Sequence, residues 1–301
     1  MFRSLLLAVL VCAVSAPAVF SATKEEGQEI LHMNYKVSFQ GKPREVRFIT
    51  VFPHEAEGRQ GIISIDGGKI PPQKFFKVGD NRYAEYGFRN PAGTAELDIA
   101  VKMQLYEADL FLLSKHRNSD FLGESYLREF LRAENGIEKD DPSVSNAAAA
   151  ISGTNDIDTL HQLYQFVLSN IAWKDAVTNY SGAAAALARK QGNASDYADL
   201  FTALCRAKGI PARVVEGFIV KPQGSDPRHQ WCEVYIERFG WVPFDPAGEA
   251  MGLATFDRLK PVYIRMSTTR NDAALDDAHY FQTFAQGEGA VSQVEELYYI
   301  E

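Results

Sequence analysis

Three short segments hold the side chains that could do chemistry. The first runs Gly192-Asn193-Ala194-Ser195-Asp196-Tyr197-Ala198-Asp199 and continues to Gly209-Ile210-Pro211-Ala212-Arg213. The second is His229-Gln230-Trp231-Cys232-Glu233, and the third is Gly240-Trp241-Val242-Pro243-Phe244-Asp245-Pro246. A helix start, an imidazole and a carboxylate, in that order, are the parts of a nucleophile, a base and an orienting group. A thiolate at a helix N-terminus is favoured by the partial positive charge there and by a neighbouring imidazole. The imidazole needs an acceptor on its other nitrogen to fix its ring. His229 and Asp245 have the types for base and orienter. At the helix start stands Ala194, and a methyl group cannot attack a carbonyl.

In order, residue type and spacing these segments resemble the transglutaminase-like superfamily, which shares its fold with papain-type cysteine proteases. Members carry a Cys at a helix start followed by Asp-Tyr-Ala-like residues. A Gly-Ile-Pro-Ala-Arg turn, a His-x-Trp strand and an Asp-Pro strand end follow. The likeness is strong from about Ser181 to Ala247. It is weaker from Tyr126 along the connector and onward to Arg270-Asn271-Asp272. The strand-rich N-terminal part is also similar to the domain that precedes this one in some bacterial members.

The resemblance implies a Cys-His-Asp triad at Ala194, His229 and Asp245, with the nucleophile itself replaced. It implies a cleft beside Asn193, with Trp231 and Trp241 as core or cleft-wall aromatics, occupied by a peptide or protein chain. It implies no cofactor. Loss of a triad nucleophile costs on the order of 10⁶ in rate in a well-studied protease. No neighbour is placed to replace it. Ser195 sits ~100° around the helix. Cys205 lies about 16 Å down the axis, at about 1.5 Å per residue. Cys232, three residues past His229, should face the other side of its strand. Asp196 reads as an early helix acid favoured by the dipole. Asn193-Ala194-Ser195 fits a glycosylation sequon by chance.

Two functions stay open on this reading, and a third stands outside it. One is non-catalytic binding of peptide or protein chains. The second is a cysteine protease, amidase or acyl-transfer enzyme carrying an inactivating change at 194. The third is an assembly role led by the strand-rich part.

The elements that must position these residues are readable from periodicity. Leu97, Ile99, Val101, Met103 and Leu105 recur at period two, a half-buried strand. Tyr35, Val37 and Phe39 alternate likewise, Gly41-Lys42-Pro43 reads as a turn, and Val46 and Phe48 resume the pattern. Tyr86 and Phe88 repeat it. From Ala147 helices take over. Asn155 or Asp156 caps one that carries Leu160, Leu163, Tyr164 and Val167 on one face. Ala183 to Arg189 is a second. A third starts near Ala194 and stops at Gly209, with Pro211 beyond. Strands return over Arg213–Val220, Gln230–Ile236, Trp241–Phe244 and Val262–Met266, and again at Leu297–Ile300. The expected class is α+β: a papain-like, transglutaminase-like domain preceded by a small antiparallel β-sandwich. The expected boundaries are 1–22 for a signal peptide, 23–110 for the sandwich, 111–145 for a connector and 146–301 for the second domain.

Bulk composition narrows the rest. With 301 residues and 46% hydrophobic content there is material for two cores. A net charge of −8 lacks the basic field a general nucleic-acid binder needs. Arg3, an apolar run from Leu5 to Val14 and small residues around Ala18, Ser21 and Ala22 form a secretory signal pattern. The run is too short for a membrane-spanning helix, and nothing later reaches that length. A periplasmic or extracellular protein with no integral membrane segment after cleavage is therefore expected. Cys12 follows Val11 inside the run, which does not suit a lipid anchor. Cys205 and Cys232 could pair in an oxidising compartment. No metal-ligand spacing and no phosphate-binding glycine loop occur.

Overall fold

The computed structural model describes residues 26–113, 122–174, 181–220 and 225–301. The expected signal segment, 1–22, lies outside the described residues. Among them no helix is long and apolar enough to cross a membrane.

The N-terminal unit is built on β1 (Glu26–Phe52), followed by β2 (Gln60–Asp66), β3 (Lys74–Val78), β4 (Asn81–Arg89) and β5 (Thr94–Tyr106). All pairings are antiparallel. One half of β1 pairs with β5 and the other half with β4, so the sheet forks. The two arms close on one core. Tyr35 from the first half and Phe48 from the second bring their rings to 4.8 Å, edge to face. The period-two residues Leu97 to Leu105 are all buried in this core.

The expected turn at Gly41-Lys42-Pro43 is instead a bend inside β1. The C-terminal strand, Phe281–Ile300, runs beside it and pairs Gly41 with Gly289, Lys42 with Glu288 and Pro43 with Gly287. That partner satisfies the backbone where a turn would otherwise form. The register slips at Ser38/Phe39 and at Pro43/Glu45, which is where a proline without a donor is tolerated. Leu297–Ile300 therefore adds to the N-terminal sheet.

The second unit opens with α1 (Pro142–Ala150). Asp141 accepts a hydrogen bond from the Ser143 amide at 2.8 Å, and Pro142 occupies the first turn. Asp141-Pro142, near the end of the expected connector, is thus a helix start. Helix α2 (Asp156–Asn170) is capped by Asn155, whose oxygen accepts from the Asp158 amide at 3.0 Å. Then come α3 (Gly182–Arg189) and α4 (Ala194–Ala207). Strands β6 (Ala212–Ile219), β7 (Arg228–Ile236), β8 (Gly240–Phe244) and β9 (Tyr263–Ser267) form an antiparallel sheet in the order β8-β7-β6-β9. A short helix, α5 (Pro246–Ala250), follows β8. Helix α4 packs on β6 and β7 on one side and on α1, α2 and α3 on the other. This is the expected α+β class.

Where the two units meet, Glu233 is almost wholly buried among three guanidinium groups. Its carboxylate lies 2.8 Å from Arg213, 3.3 Å from Arg265 and 3.9 Å from Arg59. Arg213 also meets Asp80 of the N-terminal unit at 2.7 Å. Burial alone would raise the Glu233 carboxyl. Arg265, Arg213 and Arg59 more than reverse this and bring it from 4.5 down to about 2. A carboxylate depressed by folding stabilises the fold above its unfolded pKa, and that gain disappears as pH falls through the folded value. Between about pH 4.5 and 2 this group should therefore cost on the order of 3 kcal/mol of stability. Urea unfolding across that range should show the native chain losing stability more steeply than Glu233→Gln. Equal slopes would show that the arginines do not hold this carboxylate.

Candidate active site

Helix α4 begins with a reciprocal cap. The Asn193 side-chain oxygen accepts from the amides of Ser195 at 3.1 Å and Asp196 at 3.3 Å, while Asp196 Oδ2 accepts from the Asn193 amide at 3.0 Å. The other Asp196 oxygen takes Ser181 Oγ at 2.8 Å and Arg189 at 2.9 Å. One turn on, Asp199 forms a two-pronged pair with Arg270, at 2.9 and 3.1 Å. Burial lifts the Asp199 carboxyl to about 6 even against that arginine. The helix start is therefore fixed by side chains on α3 and on the segment after β9, and Ala194 is its first residue.

The packing of α4 sets which end of β7 this start meets. Near the helix end, Arg206 Nε donates to the Ala212 carbonyl at 2.8 Å, and Ala212 pairs with Val234. One turn after Ala194, the Ala198 carbonyl accepts from Cys232 Sγ at 3.3 Å. Extending this register brings the first turn of α4 to the end of β7 that carries His229.

His229 is fully buried. Its Nε2 lies 2.7 Å from Asp245 Oδ2. The Tyr263 hydroxyl donates to the same oxygen at 2.7 Å, and Tyr164 donates to the Asp245 backbone carbonyl at 2.9 Å. Burial pushes the Tyr263 phenol well up, and the Asp245 charge adds to this, so it remains a donor. The Trp231 ring lies roughly parallel to the imidazole at 6.3 Å. Two glycines make this packing possible. A Cβ on Gly248 would stand 2.2 Å from Asp245 Oδ2, and one on Gly217, opposite His229, would stand 2.8 Å from the Trp231 ring. His229 Nδ1, buried, has no hydrogen-bond partner among the described residues.

The structure thus joins His229, Asp245 and Trp231, while Asn193 and Ala194 open α4 one turn before its Ala198–Cys232 contact with β7. Asn193 uses its amide oxygen on its own helix. Trp241 lies apart, at the other end of β7. It pairs with Tyr235, packs on Phe130 at 4.8 Å and carries the Arg213 guanidinium 4.1 Å over its ring. Sequence reading missed Tyr263. It comes from a strand with no motif of its own, and the only signal is an aromatic hydroxyl in an otherwise apolar run. Ser195 is buried beneath the cap. Cys205 and Cys232 are both free and buried rather than paired, and burial raises both thiols. None of the three is poised as a nucleophile. Among the described residues no group of His, Cys, Asp and Glu could hold a metal.

Residues 145–246 match the family model of the transglutaminase-like superfamily. This stretch is a transglutaminase-like domain. Over 187 residues the chain is 24% identical to a peptide-N(4)-(N-acetyl-β-glucosaminyl)asparagine amidase of Yarrowia lipolytica, covering 62% of this chain and 46% of that protein. The chain thus spans less than half the length of that curated relative. Its fold is similar to that of a candidate cysteine protease from Cytophaga hutchinsonii, with a TM-score of 0.62 and 19% identity over 92% of this chain and 93% of the other. A more distant likeness, at a TM-score of 0.40 and 16% identity over 72% of this chain and 90% of the other, is to the periplasmic domain of TgpA from Pseudomonas aeruginosa.

The transglutaminase-like domain holds its helix start through a buried ion pair, and this can be tested. Arg270→Met leaves Asp199 desolvated and unpaired, which should cost about 3–5 kcal/mol. Denaturant titration of that variant beside the double variant Arg270→Met/Asp199→Leu should show much of the loss recovered in the double. A single-variant loss under about 1 kcal/mol, the range of an exposed pair, would show that the pair does not anchor α4.

Proposed function

We propose that this chain binds a peptide or protein chain at the His229–Asp245 site without turning it over. The observation that carries this reading is the buried imidazole, held through Nε2 by Asp245 and without a partner at Nδ1 among the described residues, in a domain whose helix start bears a methyl group at residue 194. Binding and bond cleavage use different parts of such a site. A chain can dock beside His229 and Trp231 with no thiol present. The Yarrowia relative, named as an amidase of a glycosylated asparagine, supports a peptide-like occupant.

The second reading is an enzyme of the superfamily, a cysteine protease, amidase or acyl-transfer catalyst, with Ala194 introduced. The intact capping box and the His229–Asp245–Tyr263 arrangement favour it. Sequencing codon 194 in the native gene separates the two readings, since a Cys codon there ends the binding proposal. For secretion the support is the 1–22 pattern alone. The mass of the mature protein exported by its own host should correspond to cleavage after Ala18, Ser21 or Ala22, and an intact N-terminus would sink that proposal.

The geometry is tested by restoring the thiol. Ala194→Cys should be alkylated rapidly at pH 7 while the native chain stays inert, and adding Asp245→Asn should slow that labelling by about tenfold or more. If the Ala194→Cys thiol reacts no faster than a free cysteine, the imidazole does not serve position 194. Binding itself is read by screening peptide libraries and cell-wall fragments on the native chain. Failure of all of them would remove the proposal.

A further inference from the structure

A small cavity of about 30 Å³, open to solvent at its mouth, lies between the second-unit sheet and the N-terminal unit. Arg59, Glu233, Lys260, Arg265, Trp231 and Tyr263 are among its lining residues. It lies against the site. Trp231 and Tyr263 pack on each other at 5.3 Å; the first lies along the His229 ring and the second donates to Asp245.

The charges around this cavity do not balance. Arg213 divides itself between Glu233 and Asp80. Arg59 and Arg265 share the Glu233 carboxylate, at 3.9 and 3.3 Å, and Arg265 also feels Asp80, so three guanidinium groups meet two carboxylates and the exposed Lys260 adds a further positive charge. Arg59 Nη1 and Arg265 Nε are buried and lack hydrogen-bond partners among the described residues. These two nitrogens are themselves closed to water, but their side chains keep 22% and 13% of their surface open, so a small group in the cavity meets the guanidinium groups at their open atoms. A buried guanidinium N–H without an acceptor is costly, and the acceptor that matches its fork is a carboxylate. The aromatic walls suit the methylenes that would carry one.

We propose that this cavity receives a carboxylate of the bound chain, from an acidic side chain or from a C-terminus. The inference rests on the peptide-binding reading for the location of the rest of that chain, and it names the chemistry that selects it.

Calorimetric titration of the full chain tests this with four probes: acetyl-Ala-Glu-Ala-amide, acetyl-Ala-Ala-Ala with a free C-terminus, acetyl-Ala-Gln-Ala-amide, and glutarate. One carboxylate-bearing peptide should bind about tenfold or more tighter than the neutral peptide, and which one does so identifies the source of the carboxylate. Lys260→Glu, a surface change, should narrow that gap. Glutarate binding that weakens in Lys260→Glu, with no peptide binding at all, would keep the carboxylate site and remove the peptide reading. Equal binding of all three peptides would overturn the carboxylate site and keep the peptide reading. No binding by any probe, on a chain that unfolds cooperatively, would overturn the carboxylate site as well.

Discussion

Helix α4 is buried from Ala194 to Arg206, and most of the second unit follows from that constraint. A helix enclosed on all sides is stable only if its charged side chains are paired and its first amides are satisfied. Asn193 and Asp196 do this at the start, Arg270 answers Asp199, and Arg206 finds the Ala212 carbonyl and Glu134. Each of these partners comes from a different part of the chain. The helix is therefore tied at its start to α3, at its middle to the segment after β9, and at its end to β6. Its first residue has little room to move relative to the sheet.

That rigidity separates two kinds of buried charge in the molecule. Asp199 and Arg270 fix position, and their geometry is closed. The Glu233 cluster is different, because three guanidinium groups converge on one carboxylate and, among the described residues, Arg59 Nη1 and Arg265 Nε find no hydrogen-bond partner. A structural ion pair meant only for stability would be better served by apolar residues of similar volume. An imbalance of this kind, located behind the wall formed by Trp231 and Tyr263, makes chemical sense at a place that meets an anion.

Much of this was legible in the sequence for local reasons. The cap at Asn155, the α4 stop at Gly209 and Pro211, and the period-two run from Leu97 to Leu105 are set by neighbours a few residues away. The His229–Asp245 pair was legible because order and spacing resembled a known pattern. What escaped is what depends on distant partners. Gly41-Lys42-Pro43 has the composition of a turn, and the C-terminal strand laid beside it makes it a bend within one strand instead. That strand was itself weakly marked, since Gly287, Gly289 and its many polar residues blur the alternation. Tyr263 and Trp241 depended on sheet order, one brought to Asp245 and the other carried to the far end of β7. Arg59, more than 150 residues from Glu233, has no local signal at all.

The buried imidazole bears on why the site persists without a thiol. His229 Nδ1 sits out of water with no hydrogen-bond partner among the described residues, and an unsatisfied polar atom of this kind costs about 1–3 kcal/mol. Asp245 Oδ1 is orphaned in the same way. A scaffold with no ligand at this place would gain stability by filling the His229 and Asp245 positions with apolar side chains, as buried ion pairs elsewhere can be replaced at no loss. The strain is relieved only if something else hydrogen-bonds there. A docked peptide amide can do so without a nucleophile, because Nε2–H donates to Asp245 and leaves Nδ1 of the neutral ring as an acceptor. On the binding reading proposed above, the energetic cost of keeping this pair goes with binding, because a methyl group at residue 194 leaves the hydrogen-bonding capacity of His229 untouched.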